Sequence, residues 1–184
     1  MKTMKERKME RNLLISDLDG TLTNKSLVLE HYGHLINKGI VTADGRYKAW
    51  TQERKNEKLI VKCAMSYQRA IAGKCVWDLD VDNFIQEFVD NEENWYQDVM
   101  EFVTVAKDLG KFYVLLITGS ADFLVEPLCE ALGIDGFATI YKRELKTGIL
   151  TGEVVGMFGE EQKDNCIQKN VDLHLYDNII GIGD

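Results

Sequence analysis

Apolar residues along this chain gather into short runs that stop abruptly at polar or glycine-bearing turns. Residues 13–15, Leu13-Leu14-Ile15, form the first run, which breaks at Ser16-Asp17-Leu18-Asp19-Gly20. A second, residues 112–117, breaks at Thr118-Gly119-Ser120, and a third, residues 179–182, at Gly183-Asp184. Short runs without period-two alternation predict strands buried on both faces, as in a parallel sheet covered by helices. Between the second and third runs, spacing predicts helices over residues 121–132 and 162–169 and a strand over 137–141. "KTGILTGEVVG" reads as a hairpin around Gly148 and Gly152. Pro127, the only proline, falls inside the first of these helices, which must either begin near it or bend. Strands alternating with helices make the predicted fold class α/β.

A strand-helix-strand unit needs only about 30 residues, yet residues 22–111 separate the first two strands. Helical spacing in "SLVLEHYGHLINKG", "NEKLIVKCAMSYQRAIAG" and "VDNFIQEFVDNEENWYQDVMEFVTVAKDLG" predicts that the excess is an inserted helical subdomain. The expected division is a discontinuous core, residues 1–27 and 98–184, with residues 28–97 as the insertion. Trp50, Trp77 and Trp95 are expected in the core of the insertion, and His31 and His34 on a helix surface. Asp78, Asp80 and Asp82 imitate the start of an EF-hand loop. Asn83 and Val89 stand where that loop needs glycine and glutamate, so the stretch reads as a helix entry with solvated acids.

Composition narrows the chemistry. A chain of 184 residues is one domain carrying an insertion, and its net charge of −8 repels nucleic acid and anionic lipid. No run approaches the ~18 apolar residues of a membrane span, and no apolar segment follows the charged "MKTMKERKMERN". Four cysteines without a Cys-x-x-Cys pair predict reduced thiols in a cytoplasm. Nucleic acid and membrane are therefore not expected as partners, and the protein is expected to be a monomer or a homodimer.

Asp17 and Asp19 put two carboxylates beyond the end of a buried strand, where α/β folds place their sites, with Gly20 permitting a sharp turn. Crowded carboxylates repel, and an oxygen-only site that keeps both ionised calls for a hard divalent cation such as Mg²⁺. One carboxylate beside such an ion can attack phosphorus while the second moves the proton.

Asp17-Leu18-Asp19-Gly20-Thr21-Leu22-Thr23 resembles the first motif of the haloacid dehalogenase superfamily. Thr118, Lys163 in "GEEQKDN", and Gly183-Asp184 after "NIIGI" follow in the family's order. "ITGSADFLVEPLCEALGID", "LTGEVVGMFGEEQKDN" and "YQRAIAGK" are similar to the phosphoserine-phosphatase-like branch, subfamily IB, which carries a helical cap. The resemblance implies a Rossmann-like core with a mostly parallel sheet, a helical cap over residues 28–97, and hydrolysis of a small phosphomonoester through an aspartyl-phosphate. In that mechanism Asp17 is the nucleophile and Asp19 the general acid/base. Thr118 and the amides following it, with Gly20 and Gly119, surround the phosphoryl group, and Lys163 balances its charge. Mg²⁺ falls to Asp17, the backbone carbonyl of Asp19, and Asp184. Arg69 is the cap cation placed to read a substrate carboxylate.

Two other activities fit the same motifs: phosphotransfer to an alcohol from the same intermediate, and a catalytically weak fold used for binding. Phosphoserine phosphatases carry a cap glutamate nine residues after the nucleophile. Here that position is Ser26, with Glu30 one helical turn on, so phosphoserine is not expected to be the best substrate. The family pattern also continues past Asp184 to a second aspartate. The C-terminal end of the core is thus expected to be truncated, with weaker Mg²⁺ binding than in an extended form.

Overall fold

The computed structural model describes residues 11–53, 56–156 and 159–183. Among them, five strands form one sheet in the order β4-β3-β2-β1-β5. Strand β1 (Asn12–Ser16) pairs in parallel with β2 (Phe112–Ala121) on one side and with β5 (Asn178–Ile182) on the other. Strand β3 (Asp135–Arg143) joins β2 in parallel, and β4 (Leu150–Val155) folds back antiparallel on β3. Leu13 and Leu14 are fully buried, as an apolar run without alternation requires. The next strand in sequence lies on one side of β1 and the last on the other. The C-terminal end of β1 is therefore a switch point, where the diverging connections leave a crevice.

Between β1 and β2 lie α1 (Leu27–Asn37), α2 (Gly45–Gln52), α3 (Glu57–Ile71), α4 (Val81–Asp90) and α5 (Gln97–Asp108). Helix α1 buries Leu27, Val28, Leu29, Tyr32 and Leu35, and α4 buries Phe84, Ile85 and Phe88, the one-sided spacing that sequence periodicity anticipates. These helices are tied to the sheet by main-chain bonds. The Gly73 amide donates to the Leu150 carbonyl at 2.8 Å, the Leu150 amide to Lys74 at 2.9 Å and the Val76 amide to Gly148 at 3.1 Å. Aromatic contacts add to this: Tyr67 of α3 meets Tyr141 of β3, and Tyr141 meets Phe123 edge-on at 5.6 Å. Helix α6 (Asp122–Leu132) links β2 to β3, and α7 (Glu160–Asn170) links β4 to β5.

Five sequence expectations need correction. Strand β2 runs on to Ala121, because Thr118-Gly119-Ser120 stay extended while leaving the ladder: Ile117 pairs with Phe137, and Ala121 next with Thr139. Strand β5, expected from its apolar run to be buried, exposes Ile179 and Ile180 because it lies at the edge of the sheet, whereas helix α6 runs from Asp122 to Leu132 as expected, with Pro127 inside it. His31 is fully buried: its Nε2–H donates to the Leu79 carbonyl at 2.8 Å, so Nδ1 accepts from the Tyr67 hydroxyl at 2.7 Å. Trp50 and Trp95 are buried as expected, but Trp77 is 80% exposed, lying across Gly148 of the hairpin. Asp80 is not simply solvated. It bonds His34 at 2.9 Å and Lys38 at 3.4 Å, and the His34 and Asn83 hydrogen bonds hold its carboxyl down at about 2.

Candidate active site

Asp17 follows β1 directly, and its amide donates to the Ile182 carbonyl at 3.0 Å, carrying the β1–β5 ladder one residue further. That bond seats the side chain at the switch point. One carboxylate oxygen, Oδ1, accepts the Leu18 amide at 2.8 Å, and the other, Oδ2, lies 2.6 Å from Lys163 Nζ. Lys163 stands in the first turns of α7, its amide bonded to the Gly159 carbonyl. Both side chains of the pair keep partial access to solvent, 23% for Lys163 and 18% for Asp17. A Cβ on Gly183 would lie 3.9 Å from that of Asp17, so the end of the last strand runs alongside the carboxylate.

The loop after Asp17 turns tightly because several donors converge on one carbonyl. The amides of Thr21, Leu22 and Thr23 all donate to Leu18, and the buried Thr23 hydroxyl donates to Lys25 at 2.7 Å. Gly20 sits at φ 87°, a conformation that costs a residue with a Cβ. This turn returns Asp19 to the same crevice. Asp19 Oδ1 accepts the Leu27 amide at 2.7 Å, the first of α1, where Ser26 supplies no side-chain cap. Asp19 Oδ2 accepts the Ser120 hydroxyl at 2.8 Å, with the Thr118 hydroxyl farther off at 3.4 Å. Burial raises the Asp19 carboxyl to about 6, and the charge of Asp17 adds to this, while the Leu27, Ser120 and Thr118 bonds oppose it.

Asp17 and Lys163 therefore meet in one ion pair, and Asp19 and Thr118 meet beside it. Gly20 forms the turn after Asp19, and Gly119 lies half-buried between Thr118 and Ser120. Arg69 is exposed near the end of α3 and, among the described residues, bonds to none of these groups. Asp184, the third expected metal ligand, lies outside the described residues. Among the described residues no three His, Cys, Asp or Glu side chains converge on a metal position. The donors at hand, the Asp17 carboxylate and the Asp19 carbonyl, are hard oxygens that suit a cation such as Mg²⁺. Sequence pattern alone does not single out Ser120. The available signal was its spacing: two residues after Thr118 in an extended segment, it falls on the same side.

The fold has solved counterparts. A phosphoserine phosphatase in apo form superposes with a TM-score of 0.60 at 18% identity, covering 96% of this chain and 78% of that one. A phospho-aspartyl intermediate analogue of phosphoserine phosphatase gives 0.59 at 22% identity, covering 94% and 78%. A substrate-bound phosphoserine phosphatase complex gives 0.60 at 21%, covering 96% and 79%. No curated protein matches the chain in sequence. The strand-end carboxylates, the lysine that meets them and the Thr118 segment all fall within residues 14–184, which match the model of the haloacid dehalogenase-like hydrolases, and the chain belongs to that family.

Proposed function

We propose that this protein is a Mg²⁺-dependent phosphomonoesterase that works through an aspartyl-phosphate on a small phosphorylated metabolite. The observation that carries the reading is the pairing of Asp17 with Lys163 at 2.6 Å, beside a second carboxyl that is held by hydrogen bonds and not by a cation. Asp17 supplies the oxygen that attacks phosphorus, and the bond from phosphorus to the substrate oxygen breaks. Asp19 delivers its proton to that leaving oxygen, then takes one from the water that attacks the phospho-Asp17 and frees inorganic phosphate. Lys163, with the amides of the Thr118 segment, offsets the charge on the phosphoryl oxygens. Asp17, the Asp19 carbonyl and Asp184 would hold Mg²⁺, which lowers the repulsion between the two anions.

Residues 28–97 act in this reading as a cap that shelters the crevice from water. Ser26 at the position of the expected glutamate supports a substrate other than phosphoserine. Four free thiols fit a reducing cytoplasm. Among the described residues no helix is long and apolar enough to cross a membrane. Turnover of 4-nitrophenyl phosphate with Mg²⁺ is the test: activity that disappears in Asp17→Asn supports it, and full activity in that variant overturns the covalent mechanism.

A further inference from the structure

A carboxyl that passes a proton to a leaving oxygen must stay in one orientation, and Asp19 is held by few groups. The Leu27 amide on Oδ1 belongs to the main chain. The Thr118 hydroxyl, at 3.4 Å from Oδ2, is at the edge of hydrogen-bonding range. Ser120 Oγ, at 2.8 Å, is therefore the side chain that fixes Oδ2. Where β2 departs from its ladder between Ile117 and Ala121, the chain puts Thr118 and Ser120 on one side, facing Asp19. Ser120 is 1% exposed, so bulk water is poorly placed to replace its hydroxyl. A serine also orients the carboxyl without adding a charge to it.

We infer that Ser120 is a positioning residue for Asp19, holding the carboxyl where it serves the leaving oxygen. This rests on the phosphomonoesterase reading, and the experiment separates the two. An acid is needed most when the leaving group is a poor one. Thus kcat/KM, which covers the steps through departure of the leaving group, should respond to Ser120 according to the ester. We would compare 4-nitrophenyl phosphate with n-propyl phosphate in the wild type, Ser120→Ala and Ser120→Thr. In Ser120→Ala the loss on the alkyl ester should exceed that on the aryl ester by about tenfold or more, with KM little changed, and Ser120→Thr should recover most of it.

Ser120→Cys, close in size but a weak donor, should show the same split and serves if the alanine variant does not fold. Equal losses on the two esters, or no loss on either, would overturn the assignment and leave Ser120 a packing residue. An Asp17→Asn variant that turns over both esters as well as the wild type would instead remove the covalent reading, and the assignment with it.

Discussion

On the β2 side of Asp17 the supporting groups are buried and hydrogen-bonded; on the β5 side they are half-exposed and rest on one ion pair. Thr118 and Ser120 are essentially inaccessible, and Asp19 is anchored at once to β2 and to the first amide of α1. Lys163 comes from α7, which buries none of its described side chains, and β5 exposes Ile179 and Ile180. The contrast follows the work proposed for each side. A proton donor needs a fixed direction, which packing and neutral hydrogen bonds supply. A counter-charge acts over distance through a long, flexible stem and tolerates a looser seat.

The largest effect is expected at the group both sides share. Asp17→Asn should lower kcat on an aryl phosphate by about 10³-fold or more, because it removes the nucleophile and the partner of Lys163 together. Steady-state phosphate release measures it.

Acid should loosen the β2 side through α1, whose His31 is kept neutral by burial and has its titration pushed down to about 4 from an ordinary 6.5. Between those values the unfolded chain takes up a proton that the native one refuses. The His31 contribution should therefore be complete above pH 6.5, fall as the pH drops toward 4, and level off below it, by about 3 kcal/mol at most, while Asp19, raised to about 6, takes up its proton first in the native state and opposes this fall in the same window. Urea unfolding at a series of pH values isolates the histidine: relative to the wild type, His31→Gln should gain stability as the pH falls from 6.5 to 4, and a pH-independent difference would show that His31 does not titrate this way.

Lys163→Met tests the other side. Turnover should fall by about 10²-fold, since a charge facing the phosphoryl group is lost. The urea midpoint should hardly move, because a pair this open to solvent contributes less than about 1 kcal/mol to stability. A large drop in stability would mean that the pair also anchors α7.

The smallest expected effect is at the turn. Gly20→Ala places a Cβ at φ 87° and should cost about 1–2 kcal/mol, measurable as a lower urea midpoint. An unchanged midpoint would show that the loop relaxes to a more extended form at no cost.

Much of this site is legible before folding because it sits where a local pattern changes. The end of the apolar run at Ile15 marks Asp17 and Asp19, and the end of the run at Ile117 marks Thr118. Ser120 carries no such mark, since a serine reads alike whether it faces water or a carboxylate. His31 misleads for a related reason: helix spacing gives its face, but only Tyr67 and the Leu79 carbonyl, from other segments, make its burial tolerable. Trp77 errs the other way, its size suggesting core while the bond of the Val76 amide to Gly148 keeps it on the hairpin, 80% exposed.

Local pattern is enough for the α/β class, the interruption between the first two strands and the carboxylate pair at a strand end, because periodicity and turn chemistry act over a few residues. Tertiary structure decided the strand order that seats β5 against β1 and so brings Lys163 to Asp17. It also decided the departure of β2 from its ladder, which turns Ser120 onto Asp19. Both depend on pairings between distant segments, whose energies lie in the packing of surfaces that no local pattern records.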